Sequence, residues 1–378
     1  MMAPSRVRGQ GVRLVNMKEQ FAFDVIADQP MELAPLPEQD PAKWLLREGD
    51  LLFARQSLTL AGAGKCTYVA PSLSPRLFES HLIRVRLDST KADPRFFHYY
   101  FKSPHGRAKI ETIVEQVAAA GIRASDLANL RVPVPPPGEQ SRIANVLGAM
   151  DDLIDGNERL SANLEALALA EFRRAAFDAE STDGATTVPL RELIEVNPAR
   201  SKPAGLAAYV DMAAVPTSSA RVGAVARREA SGGARFVNGD TVMARITPCL
   251  ENGKAAFIDV LADGEVGIGS TEFIVLRPKV PLPPAWAYCL ARSERFRDYT
   301  VRHMSGSSGR QRASASDVAA YPIRVVRADE ALNFHAIVTP LFEALRQVEE
   351  EAQQLRATRD ELLPLLMSGK VVPGEVSV

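Results

Sequence analysis

The side chains best able to do chemistry in this chain of 378 residues are three cysteines, five histidines, two Gly-Asp pairs and several groups of arginine. A metal centre needs ligands at close spacing. Cys66, Cys249, Cys289, His81, His98, His105, His303 and His335 supply no CxxC or HExxH pair. The run LTLAGAGKC (58–66) comes nearest to a phosphate loop, but Thr59 stands at the first glycine of GxxxxGK(S/T) and Cys66 at the Mg2+-binding hydroxyl. DPRF (93–96) and NPAR (197–200) lack the second proline of the motif that holds a flipped base in amino-methyltransferases, and NPAR also lacks its aromatic, so both read as turns. Asp50 and Asp240, each between a glycine and an apolar run, read as turn residues rather than metal ligands. No catalytic residue, no metal site and no cofactor held by this chain are expected.

The elements that carry these residues occur twice. REGDLLFARQS around position 50 and VNGDTVMARIT around 240 share Gly49/Gly239, Asp50/Asp240, Ala54/Ala244 and Arg55/Arg245. Gly64 and Lys65 recur at Gly253 and Lys254, HLIRVRL at 81 answers EFIVLRP at 272, and Ser125, Asp126 and Leu127 answer Ser316, Asp317 and Val318, all at offsets of 189 to 191. Such a register held over some 80 residues marks an internal duplication. LLFAR, HLIRVRL, TVMAR and EFIVLRP alternate as strands, whereas PRFFHYYFKS and AWAYCLARSERFRDY read as helices, so each globular part is α+β.

Each copy runs into a long charged helix. Ile143, Met150, Asn157 and Leu164 fall seven apart, flanked by Val146, Leu147, Leu153, Ile154, Leu160 and Leu167; Phe334, Leu341, Val348, Leu355 and Leu362 form a second such series. This is the spacing of a coiled-coil seam, with Asn157 as a polar residue able to fix register. About 40 residues of helix extend about 60 Å, too long for the core of either globular part, and duplication favours pairing of the two helices antiparallel within one chain. The expected segments are globular domains over 1–138 and 181–328 and helices over 139–180 and 329–370, the last including the C-terminal tail. Pro340 is expected to kink the second helix or delay its seam.

Two related but unlike heads on a stiff spacer suit a target with two unlike half-sites, the geometry of symmetric DNA-binding dimers made covalent. A net charge of −1 gives no bulk attraction to nucleic acid, so any basic surface is local. RVGAVARREASGGAR (221–235) has four arginines against one acid, and ARSERFRDYTVRHMSGSSGRQR (291–312) six against two. Arginine suits bidentate contact with phosphate or guanine. With the repeated positions, these segments give the candidate DNA contacts Arg55, Lys65, Arg123, Arg227, Arg228, Arg245, Lys254, Arg302, Arg310 and Arg312. The other class of reading is a duplicated interaction protein whose heads bind protein or RNA. No apolar run reaches the ~18 residues of a membrane span, and the N-terminus lacks a secretory apolar stretch, so a cytoplasmic location is expected.

The segment PVPPPGEQSRIANVLGAMDDLIDGNERLSANLEALALAEFRRAAFD (133–178) resembles the central spacer of type I restriction-modification specificity subunits, with its Pro-Pro-x-x-Glu-Gln-x-x-Ile-Ala entry into a long helix. RDELLPLLMSGKV (359–371) is similar to that family's C-terminal tail, and the GDLLFAR and GDTVMAR frames to its target recognition domains. The resemblance covers nearly the whole chain. It implies two tandem target recognition domains separated by two antiparallel coiled-coil helices, and a non-catalytic subunit that reads a bipartite, asymmetric sequence in double-stranded DNA. It further implies two modification subunits carrying S-adenosylmethionine and, in a full complex, two restriction subunits using ATP and Mg2+. Three departures stand out: Gly138 before Glu139, RADEALNFHAIV in place of a second Pro-Pro-x-x-Glu-Gln entry, and a first domain that lacks the Leu-x-x-Leu opening seen in VPLRELIEVN (188–197).

Overall fold

Gly49 and Gly239 adopt φ of 83° and 89°, a left-handed conformation that costs a residue with a Cβ about 1–2 kcal/mol. The turn so formed lets Asp50 and Asp240 accept the backbone N–H of Arg47 and Val237, both at 2.8 Å, and launches the fully buried strands LLFA and TVMA. The computed structural model describes residues 9–116, 119–176, 186–223, 225–307 and 309–374. The expected starts of the two globular domains at 1–8 and 181–185, and the expected end of the first spacer at 177–180, lie outside these residues. Two compact units are present, Met1–Ile154 with Gln353–Val378, and Asp155–Ala352. They cut across the four segments expected from sequence, because each globular body packs on part of both long helices.

The first unit opens with β1 (Val12–Val15), α1 (Met17–Ala22), β2 (Val25–Ile26), β3 (Glu32–Ala34) and α2 (Pro41–Trp44). It continues through β4 (Leu51–Ala54), β5 (Gln56–Ser57), β6 (Cys66–Val69), β7 (Arg76–Phe78) and β8 (Leu82–Val85). After them come α3 (Pro94–Lys102), α4 (Pro104–Glu111), β9 (Glu115–Gln116), β10 (Ala120–Gly121), α5 (Ala124–Ala128) and the start of α6 (Pro137–Ala176). The main sheet has the order β2-β6-β4-β8, and Phe53 pairs antiparallel with Cys66 on one side and Ile83 on the other. One face packs against α3, so that Phe53, Phe96, Phe97 and Tyr100 share a core with Ile143, Leu147 and Leu366 from the two long helices.

The second unit contains β11 (Thr187–Pro189), β12 (Ile194–Val196), β13 (Leu206–Val210), β14 (Ala226–Glu229), β15 (Ala234–Phe236), β16 (Thr241–Ala244), β17 (Ala255–Phe257), β18 (Gly267–Gly269) and β19 (Phe273–Pro278). Then follow α7 (Ala285–Arg292), α8 (Glu294–Arg302), α9 (Ala315–Ala319), β20 (Pro322–Arg324) and α10 (Ala328–Met367). Its sheet β12-β19-β16-β17 repeats the arrangement around β4: Met243 pairs with Ala255 and Ile274. Trp286 on α7 lies edge-on to Phe172 at 4.9 Å and to Phe334 at 4.8 Å, joining the head to both long helices of this unit.

The order of sheet, helix pair, short helix and 40-residue helix is the same in both copies. The single helix expected from AWAYCLARSERFRDY is instead two, because Ser293 at φ −68°, ψ 137° breaks it between α7 and α8; Ser103 breaks the first copy at the equivalent place. VPLRELIEVN forms β11, a 3-10 turn and β12, which pairs with β19. Among the described residues no strand pairs with the corresponding edge of β8. The copies therefore differ where the sequence of the first lacks that opening.

The long helices require two corrections. Helix α10 runs unbroken through Pro340, whose ring lies on the exposed side. Leu153, Leu160 and Leu167 are 53%, 45% and 49% exposed and so do not belong to the buried face. That face instead carries Ile143, Ile154, Glu165 and Ala176, eleven residues apart, a spacing of 3.67 per turn that follows an ordinary helix better than the heptad's 3.5. Of the heptad residues, Ile143 and Phe334 are buried and Met150, Asn157, Leu164, Leu341, Val348, Leu355 and Leu362 half-buried.

Candidate nucleic-acid interface

The repeated arginines occupy the same backbone position. Arg55 N–H donates to the His81 carbonyl and its own carbonyl accepts from Ile122; Arg245 N–H donates to Glu272 and its carbonyl accepts from Ala313. Behind each, the turn aspartate is held by an arginine, Arg86 just past the end of β8 and Arg277 on β19. Arg86 grips Asp50 through two bonds of 2.6 and 2.7 Å, and Arg277 grips Asp240 through two of 2.6 and 2.5 Å. Both carboxylates are fully buried, where only a paired and hydrogen-bonded charge is tolerated. The sequence supports the turn role of these aspartates, and the structure adds the ion pair. Arg86 and Arg277 stand at the same offset as the rest of the repeat.

Several candidate contacts serve the fold. Lys65 Nζ pairs with Asp24 at 3.2 Å and donates to the Phe21 and Phe23 carbonyls, and Lys254 Nζ donates to the Met212 carbonyl at 2.7 Å. Burial pushes the Asp24 carboxyl up, but Lys102 and Lys65 outweigh it and bring its pKa to about 2. Arg312 closes on Glu272 with Nε and Nη2, at 2.6 to 3.0 Å, and this hydrogen bonding holds the Glu272 carboxyl below its ordinary range. The same loop is latched by backbone bonds between Ser305 and Arg312 and from Thr247 to Gln311. Arg123 pairs with Glu115 at 2.8 Å on the surface, and Arg227 with Glu265 at 2.9 Å. Arg228 stacks 4.2 Å from the Tyr209 ring centre. Arg302 and Arg310 are exposed, with no side-chain ion pair to a described residue.

The basic segments thin out accordingly. Arg221, one of the four in 221–235, is 10% exposed and locked to Asp259 and to Glu350 on α10. Arg292 is spent on Glu165 and on the Thr217 and Gly253 carbonyls. What the sequence does not reveal is a pocket of about 450 Å³ in the second unit that gathers Arg200, Arg235 and Arg245 from three separated segments. Arg200 lies in the NPAR turn and Arg235 on β15. The first unit has a pocket of about 830 Å³ beside the matching start of β8, lined by Glu38, Asp40, Glu79, Lys43, Trp44 and Ser80 among others.

Each head is also tied to α6 through a carboxylate. In the first unit Tyr99 Oη donates to Asp151 at 2.7 Å and Arg359 Nη1 donates to the same group at 2.6 Å. In the second, Tyr288 Oη donates to Glu165 at 2.5 Å, with Arg292 at 3.2 Å and Ser161 bonded to Glu349 nearby on the helix pair. Burial, reinforced by the neighbouring carboxylate, pushes both phenols up, so each remains a donor at neutral pH. Among the described residues no helix is long and apolar enough to cross a membrane.

Residues 38–166 match the family described as Type I restriction modification DNA specificity domain. Along 400 aligned positions, 97% of this chain and 91% of the relative, the chain is 22% identical to the Type I restriction enzyme MjaIX specificity subunit of Methanocaldococcus jannaschii. It is 29% identical to the EcoEI specificity subunit of Escherichia coli over 138 residues, which make up 36% of this chain and only 23% of that protein. Its fold is similar to the S subunit of a type I restriction-modification system from M. genitalium, with a TM-score of 0.56, 16% identity and coverage of 99% of this chain and 92% of that one. The matched domain lies on the first copy, the similarity to a type I specificity subunit runs along nearly the whole chain, and the fold is similar to that of a type I S subunit.

Proposed function

We propose that this chain is the DNA-reading subunit of a type I restriction-modification complex. Its two α+β heads act as tandem target recognition domains, each reading one half of a bipartite, asymmetric sequence in double-stranded DNA. Helices α6 and α10 pair antiparallel as a coiled coil and set the distance between the half-sites. The chain scaffolds two modification subunits, which bring S-adenosylmethionine, and in the complete complex two restriction subunits, which bring ATP and Mg2+. It performs no catalysis itself, holds no cofactor of its own and works in the cytoplasm.

The observation that carries this reading is the repetition, within one chain, of the same strand frame around Arg55 and Arg245, each copy ending on a helix of 40 residues. A homodimer with such heads reads a palindrome; two unlike heads in one chain read unlike halves. The test is selection of randomised duplexes by the chain bound to its modification subunit, followed by sequencing. The expected yield is a motif of two unlike blocks separated by a fixed gap. Recovery of no motif, or of one contiguous block, contradicts the reading.

A further inference from the structure

We propose that the pocket enclosed by Asn197–Arg200, Gly233–Arg235 and Arg245 in the second unit is an oxyanion seat that holds one phosphodiester of the DNA backbone. The proposal rests on the DNA-reading function and identifies what this part of the second head grips. Three guanidinium groups line the pocket and no carboxylate does. Glu272, just before β19, is hydrogen-bonded to Arg312, and the Arg245 charge acts on it only more weakly. The Arg245 side chain makes no hydrogen bond or ion pair with a described residue, and its Nε is shut off from water without an acceptor. A cationic N–H left so is costly, and a phosphate oxygen is the acceptor that fits a guanidinium fork.

The walls are built in advance of any ligand. Asn197 sits at φ 53°, pinned to Val275 in both directions: its N–H donates to the Val275 carbonyl at 2.7 Å, and its Oδ1 accepts the Val275 N–H at 2.9 Å. This fixes the turn that leads to Arg200, whose carbonyl accepts from Arg235 Nη1 at 2.6 Å and so joins two walls. Gly233, at φ 117°, continues the Arg235 wall as bare backbone, because a Cβ there would lie 2.0 Å from the Gly269 carbonyl oxygen. The chemistry favours phosphate over a base. The one aromatic lining residue, Phe273, is 3% exposed and offers no stacking platform. Arg–phosphate contact, by contrast, needs only the fork and room for the anion.

The test is binding of the full chain, alone and with its modification subunit, to a duplex of arbitrary sequence across roughly 50 to 200 mM salt. Wild type, Arg200→Glu, Arg245→Ala and Arg245→Lys are compared, with thermal unfolding measured in the absence and presence of ~10 mM inorganic phosphate. Arg200→Glu and Arg245→Ala are expected to flatten the salt slope by about one and to weaken binding roughly fivefold on every duplex, while Arg245→Lys retains part of both. Phosphate should raise the Tm of the wild type and not that of Arg200→Glu. Arg200 is exposed, so its variant carries the test if Arg245→Ala fails to fold. Unchanged slope and affinity in the variants, beside a wild type that binds steeply, overturn the seat and leave the DNA-reading function standing. A wild type that binds no duplex in either form overturns the DNA-reading function and, with it, the phosphodiester as the ligand; the phosphate shift then decides the oxyanion seat itself: a shift lost in Arg200→Glu upholds that seat, and no shift ends it.

Discussion

The two units share a frame and part company at the pocket beside it. Around Arg55 and Arg245 the backbone pairing, the turn glycine and the buried aspartate–arginine pair coincide. In the first unit Arg55 Nε is turned onto the Ser80 carbonyl at 3.2 Å, and the neighbouring pocket presents Glu38, Asp40 and Glu79. In the second the equivalent arginine has no such partner and two more arginines join it. A fixed scaffold thus carries walls of opposite charge. The contrast teaches that the recurrent motif shapes the fold, while the individuality of each head lies in loops that the repeat does not constrain. By its charge, the second head should draw more of its affinity from phosphate than the first.

The largest effects should come from the equivalent aromatic anchors. Phe96 and Trp286 occupy matching places, each buried against its own sheet. Phe96→Ala and Trp286→Ala should each cost about 3–5 kcal/mol. If each unit has its own core, calorimetry will show the first variant lowering one thermal transition and the second the other. A common shift of a single transition in both variants would break the comparison.

Next in size is a pH effect confined to the first unit, because His98 stands where the second has Tyr288. Burial, with Lys102 adding to it, drives the His98 imidazole down to about 3, and its Nδ1 has no partner. The folded group stays neutral while the unfolded one takes up a proton near its ordinary 6.5. Stability is therefore complete above about pH 6.5 and is lost as pH falls from there toward 3, by up to about 1.4 kcal/mol per pH unit for this one group. His98→Gln should flatten the dependence between pH 6.5 and 5 in denaturant titrations; an unchanged slope would remove His98 from the account. The smallest effect is expected at the acidic pocket. Glu38→Lys should strengthen non-specific duplex binding only about two- to threefold and steepen its salt dependence slightly. A weakening would mean that this wall does not face DNA.

Much of the frame was legible in the sequence because its signals are local or repeated: Gly49-Asp50 before an apolar run, the offset that joins Arg55 to Arg245, and two helical stretches of matching length. The finer features depend on partners distant in the chain. Lys65, Lys254 and Arg312 look like free cations until Asp24, the Met212 carbonyl and Glu272 are brought beside them. The pocket of Arg200, Arg235 and Arg245 joins three segments that no spacing rule connects. Periods of 3.5 and 3.6 differ by about 20° per heptad, which is why Leu153, Leu160 and Leu167 read as seam residues although they lie outside the buried face. The Ser293 break also escapes a hydrophobic pattern, since α7 and α8 are both apolar on the side toward the core.

In the proposed function one chain reads two half-sites at a distance set by its own helices. Mapping of methylated bases in a host that expresses the chain with a modification subunit tests it, for the wild type and for a variant lacking 154–160 and 350–356. These deletions spare the Asp151, Glu165 and Arg359 anchors and shorten each helix by about 10 Å, or about three base pairs. Two unlike half-sites with a fixed gap that closes by that amount in the variant are expected. A contiguous site, or a gap that stays the same when the helices are shortened, would contradict the proposed function.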